Sequence, residues 1–331
     1  MKRLKYIITR IFKMDYKNML KIAKKISKKT KKPRFFILID MVICGFKYGA
    51  GYYDYQEFEF YLLSGKERRT YLTRAKNNQI ISTYNDKKYF HVLDDKIEFN
   101  EKFKDYINRD YMFINDNFDE FDKFFKKHKT IIAKIINGEG GKGIEKFSYT
   151  DNKESKKIYD SLIKKNELLI EECIVQHESV DKLYSGSVNT LRLFTFFDGT
   201  NAYVVNQIFK FGNGGVTDNF SSGGMYTFTD EEGKVIVPAI DREDNTFEVH
   251  PLTNEKIIGY KVPFFKEACD LVCKAAKEIP EIKYIGWDVA ITKKGPAIIE
   301  GNSFPGVFQI KPSFLRNKGL ITKYSKYMNI K

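Results

Sequence analysis

The chain has 331 residues, 42% apolar and 15% aromatic, enough for a sizeable core in one large or two to three smaller lobes. No run of about 18 apolar residues is present, which argues against a spanning helix. The basic N-terminus lacks the apolar stretch and small-residue cleavage site of a signal peptide. The net charge of +14 is local: residues 1–34 hold fourteen Lys and Arg and a single acid, Asp15, leaving the rest nearly neutral. Nucleic-acid binding by the body, which needs bases spread over a face, is therefore disfavoured.

Residues 1–33 read as a basic arm with Leu4, Ile8, Ile11, Met19, Ile22 and Ile26 at roughly helical spacing. A basic amphipathic helix suits a membrane surface or an acidic partner, and serves equally as a solvated helix capping the body. Residues 34–110 are expected to form a smaller N-terminal α/β region carrying substrate contacts. Within it an apolar run covers 35–43, a tyrosine-rich turn region covers 45–55, and helices are expected over 56–75 and 95–108.

From Thr130 the pattern changes to short β-branched or aromatic runs broken by Gly and Asx turns. Strands are expected over 130–136, 144–149, 167–171, 189–197, 202–211, 225–229, 234–238, 284–292 and 296–301, with helices over 153–166 and 263–278. Strands outnumber helices and several pair as hairpins, so the class is α+β. Lobe boundaries are expected at 111–175 and 176–331. Cys44, Cys173, Cys269 and Cys273 have no nearby histidines to make a zinc site and read as reduced thiols of a cytoplasmic chain.

Gly138, Gly140 and Gly143 form a GxGxxG, with Gly141 and Lys142 inside it. The pattern alone is weak. A dinucleotide fingerprint opens a helix, but residues 144–149 alternate like a strand, and Lys142 is not followed by Ser or Thr. What remains is a glycine hairpin whose N–H groups can approach phosphate oxygens, or a plain surface hairpin. Lys134, on the strand before it, is placed to reach a phosphate.

Around the turn at Lys293-Lys294-Gly295, Asp288 lies about as far back as Glu300 and Asn302 lie forward. Antiparallel pairing makes them neighbours, and Glu300 and Asn302 share a face. Two carboxylates and an amide oxygen form a hard oxygen site suited to Mg²⁺ held with phosphates. The alternative is that these acids pair with lysines.

The order of Lys134, the glycine loop, the apolar run ending in Glu171-Glu172, then Asp288 and Glu300-x-Asn302 resembles the ATP-grasp superfamily over roughly residues 90–310. The resemblance implies two α+β lobes clasping ATP. It implies phosphate contacts from Lys96 and Lys134, an adenine hinge at Glu171, Glu172 and Ile174, a ribose contact from Glu178, and two Mg²⁺ ions (Mn²⁺ as an alternative) on Asp288, Glu300 and Asn302. More narrowly, Asp54-Tyr55, Glu67-Arg68, Asp95-Lys96, Asn189-Thr190-Leu191-Arg192, Asp218-Asn219 and Gly223-Gly224 resemble the sugar-transfer-associated ATP-grasp proteins of bacterial surface-glycan gene sets. Many amide-forming relatives carry an Arg two residues before the metal Asp. Gly286 stands there, and Arg192 is the candidate replacement, with Lys210 assisting.

The implied reaction is ATP-dependent joining of a small-molecule carboxylate to an amine or amino sugar. A kinase-like phosphotransferase and a non-catalytic ATP-binding module are the rivals. Loop 211–224 is a candidate lid, with Asn189, Asn219, Ser221 and Ser222 as candidate substrate contacts. His177 and His250 are the available ring bases, and both read as structural.

Overall fold

The computed structural model describes residues 15–135, 144–316 and 318–330. The chain divides into two compact units. One runs to Gln79 and takes back Val307–Ser325; the other is essentially Ile80–Gly306. The division thus falls inside the stretch 34–110 that the sequence suggested as one piece.

The described part of the first unit contains helices and no strand: α1 (Tyr16–Thr30), α2 (Arg34–Tyr48) and shorter ones at Tyr52–Glu57 and Gly65–Thr70. This corrects the α/β character expected for 34–110. The apolar run 35–43 lies in α2, whose inward residues Ile37, Met41, Cys44 and Tyr48 are buried at the helical period. Gly49, at φ +68°, closes α2 with the left-handed turn that glycine adopts at no steric cost. The single helix expected over 56–75 is broken. Glu59 takes a left-handed φ of 48°, and Ser64 starts afresh with Glu67 as a capping box. The family-like pairs here act as structural pins. Tyr55 Oη donates to Asp40 at 2.7 Å, Arg68 grips Asp40 at 2.6 and 2.7 Å, and Arg74 pairs with Asp54 at 2.5 Å.

The second unit holds two antiparallel sheets. In the smaller, β1 (Tyr111–Phe113), β2 (Thr130–Lys134), β3 (Ile144–Ser148) and β4 (Leu169–Glu172) lie in the order β1-β4-β2-β3. Helices α3 (Phe118–His128) and α4 (Asn152–Lys165) back it, burying Phe121, Phe125 and Leu162 against Ile131, Ala133 and Ile170. Strand alternation then leaves Lys134 on the other face.

The larger sheet has the order β11-β10-β5-β6-β7-β8-β9. Its members are β5 (Thr190–Phe197), β6 (Ala202–Phe211), β7 (Met225–Phe228), β8 (Ala239–Ile240), β9 (Thr246–Phe247), β10 (Tyr284–Thr292) and β11 (Gly295–Asn302). Strand β10 is buried along almost its whole length. Its Ile285, Trp287, Val289 and Ile291 share a core with Ala268 and Val272 of α5 (Phe265–Ala275). The strand expected over 234–238 does not form. It is reduced to isolated bridges: Val235 pairs with Thr229 just past β7 and Ile236 N donates to Phe228 O at 3.1 Å, while Val235 N donates to Tyr260 O at 2.8 Å and Val235 O accepts from Gly259 N at 2.9 Å.

Candidate functional site

The β10–β11 hairpin sets Asp288 directly opposite Glu300, and Gly286 opposite Asn302. On its other side β10 pairs with β5, which sets Arg192 opposite Asp288. The register therefore carries a buried cation to a buried carboxylate across a strand pair. Arg192 Nε donates to Asp288 Oδ1 at 2.6 Å, and its Nη2 donates to Oδ2 of the same carboxylate. Lys210 of β6 donates to Asp288 Oδ2 at 3.1 Å and lies 3.6 Å from Asp218. Arg192 Nη2 also lies 3.6 Å from Glu300, whose side chain stays half exposed.

Removing Asp288 from water pushes its carboxyl up, but Arg192 and Lys210 outweigh this and hold it well below the usual carboxylate range. Burial pushes Asp218 up by more than Lys210 pulls it down. Asp218 is held by Thr190, whose N–H donates at 3.1 Å and whose hydroxyl donates to the same oxygen. The result is an alternating chain of charges: Glu300, Arg192, Asp288, Lys210, Asp218.

The smaller sheet builds a second cluster around Glu171, which is buried on the same face as Lys134. Lys134 ion-pairs with one of its oxygens. Arg109 Nη2 donates to the other at 2.8 Å, and Asn100 Nδ2 does so at 3.0 Å. Arg109 also donates to Ile298 O of β11 at 2.6 Å, so one side chain joins this cluster to the hairpin that carries Glu300. Burial pushes Glu171 up, and the Arg109 and Lys134 charges more than reverse it. Lys96 opens the helix Lys96–Lys102, with Asp95 as its N-cap. Burial lowers its pKa, and Lys134 beside it lowers it further, against the pull of Glu300 and Glu171. Lys96 and Lys134 thus feel each other's charge, while Arg192 and Arg109 bring the two clusters to the hairpin that carries Glu300.

Other expected residues lie elsewhere. Glu172 follows Glu171 on an alternating strand, so its side chain takes the opposite face. Its Oε2 lies 3.8 Å from His128 Nδ1 and accepts from Asp110 N at 3.2 Å. Its side chain therefore does not join Lys134. Ile174 is half-buried just past β4. Glu178 is largely exposed and pairs with Lys293 at 3.0 Å. Asn189, a candidate substrate contact, is corrected: it is fully buried. Its amide donates to Val180 O and Tyr184 O at 3.1 and 2.7 Å, and its oxygen accepts from Gly212 N at 3.1 Å. No side-chain polar atom is left for a ligand. Asn219 stands at the N-cap position of the short turn Phe220–Ser222 without a side-chain capping bond, with Ser221 and Ser222 exposed on the turn. The glycine loop residues Gly138, Gly140, Gly141, Lys142 and Gly143 lie outside the described residues, as does the first part of the basic arm.

The candidate lid is tied down at several points. Tyr184 Oη donates to Gly215 O at 2.7 Å, and His250 Nε2 meets Gly212 O at 2.9 Å, a bond that uses His250 as a structural donor. Gly224 packs against the main chain that presents Asp218; a Cβ there would meet Asp218 O at 2.2 Å. Gly224→Ala is therefore expected to cost about 1–3 kcal/mol and to speed proteolytic cleavage within 212–224. Gly215→Ala, whose Cβ would find its nearest atom at 3.8 Å, is expected to match the parent in both measurements.

Arg109 and Asn100 escaped the sequence reading, because an isolated Arg before a short strand has no pattern to mark it. The donor set on the hairpin fits a hard divalent cation. Asp288 and Glu300 face each other, and Asn302 spends its amide nitrogen on Gly286 O at 3.2 Å, which turns its oxygen away as an acceptor. The cation would share Asp288 with Arg192 and Lys210.

The profile of the sugar-transfer associated ATP-grasp family matches residues 75–321. Among curated proteins no sequence matches. Similar solved structures include the ATP-grasp ligase PsnB with a minimal precursor, at 14% identity and TM-score 0.40, covering 67% of this chain and 56% of that one. D-alanyl-alanine synthetase A from Vibrio cholerae is 14% identical at TM-score 0.41, covering 71% of this chain and 65% of that one. D-alanine–D-alanine ligase from Bacillus anthracis is 12% identical at TM-score 0.40, covering 71% and 67%. The chain thus spans less than two thirds of the first two.

Proposed function

Starting from a chain that belongs to the sugar-transfer associated ATP-grasp family and has the ATP-grasp fold, we propose that it is an ATP-dependent carboxylate–amine ligase. The observation that carries this reading is the gathering of Arg192 and Lys210 on Asp288 beside Glu300, with Arg109 tying the Lys134–Glu171 cluster to the same carboxylate hairpin. Lys96 and Lys134 hold phosphate oxygens. The main chain after Glu171, around Ile174, faces the base, and Glu178 is the ribose contact. Asp288, Glu300 and Asn302 would hold Mg²⁺, which supplies charge neutralisation at the triphosphate when bound.

Phosphoryl transfer needs positioning and charge neutralisation more than covalent help from the protein. The substrate carboxylate attacks the γ-phosphorus, giving an acyl phosphate and releasing ADP. The amine then adds to the acyl carbon, loses its proton, and expels inorganic phosphate to leave an amide. Arg192 grips oxygens of the carboxylate or phosphate in a fork. Loop 211–224, with Asn219, Ser221 and Ser222, flanks the acceptor. The acceptor class is an amino sugar or a related amine of a surface glycan. The basic arm would hold the chain at the anionic cytoplasmic face of a membrane.

The test is ADP release from Mg·ATP, with amino and hydroxy acids scanned as carboxylates and amino sugars present or absent. Turnover that needs both substrates and falls at least about 100-fold in Glu300→Ala is expected. A phosphorylated acceptor made without any amine would replace the ligase reading with a phosphotransferase. Failure to bind ATP would replace both with a binding module.

A further inference from the structure

Helix α2 is apolar on two opposite sides. Ile37, Met41, Cys44 and Tyr48 face inward and are buried. On the outer side Phe35, Phe36, Ile39, Val42, Ile43 and Phe46 are each 40–68% exposed. At 100° per residue these six fall within one third of the helix circumference. Single exposed apolar residues are ordinary, but six large ones in one stripe mark an interaction surface.

Helix α1 packs on α2, as does the short helix Tyr52–Glu57. Helix α1 exposes Lys17, Lys21, Lys24 and Lys28, and the described part of it carries no acid. An apolar stripe beside a row of lysines is the composition of an element lying in the interface of an anionic membrane. Helix α2 has 15 residues, or about 22 Å, too short to cross a hydrocarbon core of about 30 Å. No described helix is long and apolar enough to cross a membrane. An in-plane position satisfies both facts.

We propose that the outer face of α2, flanked by the lysines of α1, docks the protein on an anionic lipid surface. This rests on the membrane-surface reading of the basic arm and sharpens it by adding a defined hydrophobic footprint. Charge decides between occupants. A second copy packed antiparallel across this face would bring its own α1 beside the first, setting lysines against lysines. Residues 1–14 would bring Lys2, Arg3, Lys5, Arg10 and Lys13 and no acid to the same place. Anionic headgroups neutralise the lysines while the acyl boundary takes the phenylalanines.

The experiment is co-sedimentation of the full chain with phosphatidylcholine vesicles, with and without phosphatidylglycerol, beside light scattering of the protein alone. Binding is expected only with phosphatidylglycerol, weakening as salt rises. Phe36→Ser with Ile43→Ser should lower the partition coefficient about tenfold or more. Lys24→Gln with Lys28→Gln should do likewise. Undiminished binding by the apolar variant would overturn the footprint and leave the charge of the arm as the whole attraction. No binding by the parent would overturn both. A parent dimer that the apolar variant splits, with no vesicle binding, would make the face a contact between copies. Binding seen only after deletion of residues 1–14 would mean that the chain covers its own face. ATP turnover is measured separately, so none of these outcomes bears on the ligase reading.

Discussion

Arg192→Met is expected to lower the unfolding free energy by about 3–5 kcal/mol in urea titrations at neutral pH. Asp288 is buried and its carboxylate is shared between Arg192 and Lys210, so truncating the fork leaves a buried charge with a single partner. Lys210 offsets part of the loss, which places the effect at the lower end of that range. Asp288→Asn is expected to destabilise as well, since it strips the common partner from two buried cations. The double variant Arg192→Met, Asp288→Asn should then be more stable than the sum of the single losses implies, by about 1–3 kcal/mol. Strict additivity would show that the two side chains do not depend on each other. Turnover should be lost in all three, because Arg192 and Asp288 both belong to the proposed reaction centre.

Glu171→Gln should give the second large effect, and its dependence on pH identifies the cause. Glu171 lies between Arg109 and Lys134, and the neutral amide leaves both cations short of a counter-charge, at a cost of about 3 kcal/mol near pH 7. The folded pKa of Glu171 is depressed, as is that of Asp288. Their unfolded values are about 4.3 and 3.9. Below about pH 5 the unfolded chain therefore takes up protons that the native chain refuses, and stability falls as pH falls. In the parent this loss continues down toward the depressed folded values. In Glu171→Gln one such proton is gone, so the acid slope should flatten by up to about 1.4 kcal/mol per pH unit. The difference between parent and variant should accordingly shrink as the solution is acidified. A difference that stays constant between pH 7 and pH 4 would mean that the carboxylate charge of Glu171 does not stabilise the fold.

Much of the larger sheet was legible because its signals are local. The strands over 189–197, 202–211 and 284–292 show as apolar runs with turns at their ends, and the Lys293-Lys294-Gly295 turn fixes the pairing arithmetic. That arithmetic places Asp288 against Glu300, as the register shows. The N-terminal region was less legible. An apolar run such as 35–43 has the same composition in a buried strand and in a two-sided helix. Only packing chooses between them, and here it chooses the helix. Glu171 and Glu172 were read together as a hinge, yet adjacent residues on a strand point to opposite faces, and each has a different set of partners.

The sequence by itself determined the α+β class, the position of most strands, the concentration of charge in the arm, and the neighbourhood of Asp288, Glu300 and Asn302. All of these depend on periodicity, turn chemistry or composition within a few residues. Only the tertiary structure decided that Arg192 and Lys210 would share Asp288. It alone brought Arg109 and Asn100 to Glu171, buried Asn189 as a strut, and left six apolar side chains of α2 on the outside. The charged contacts join residues 62 to 96 positions apart, through strand registers and helix packing that no local pattern encodes. The energy of a buried charge depends on which distant partner reaches it.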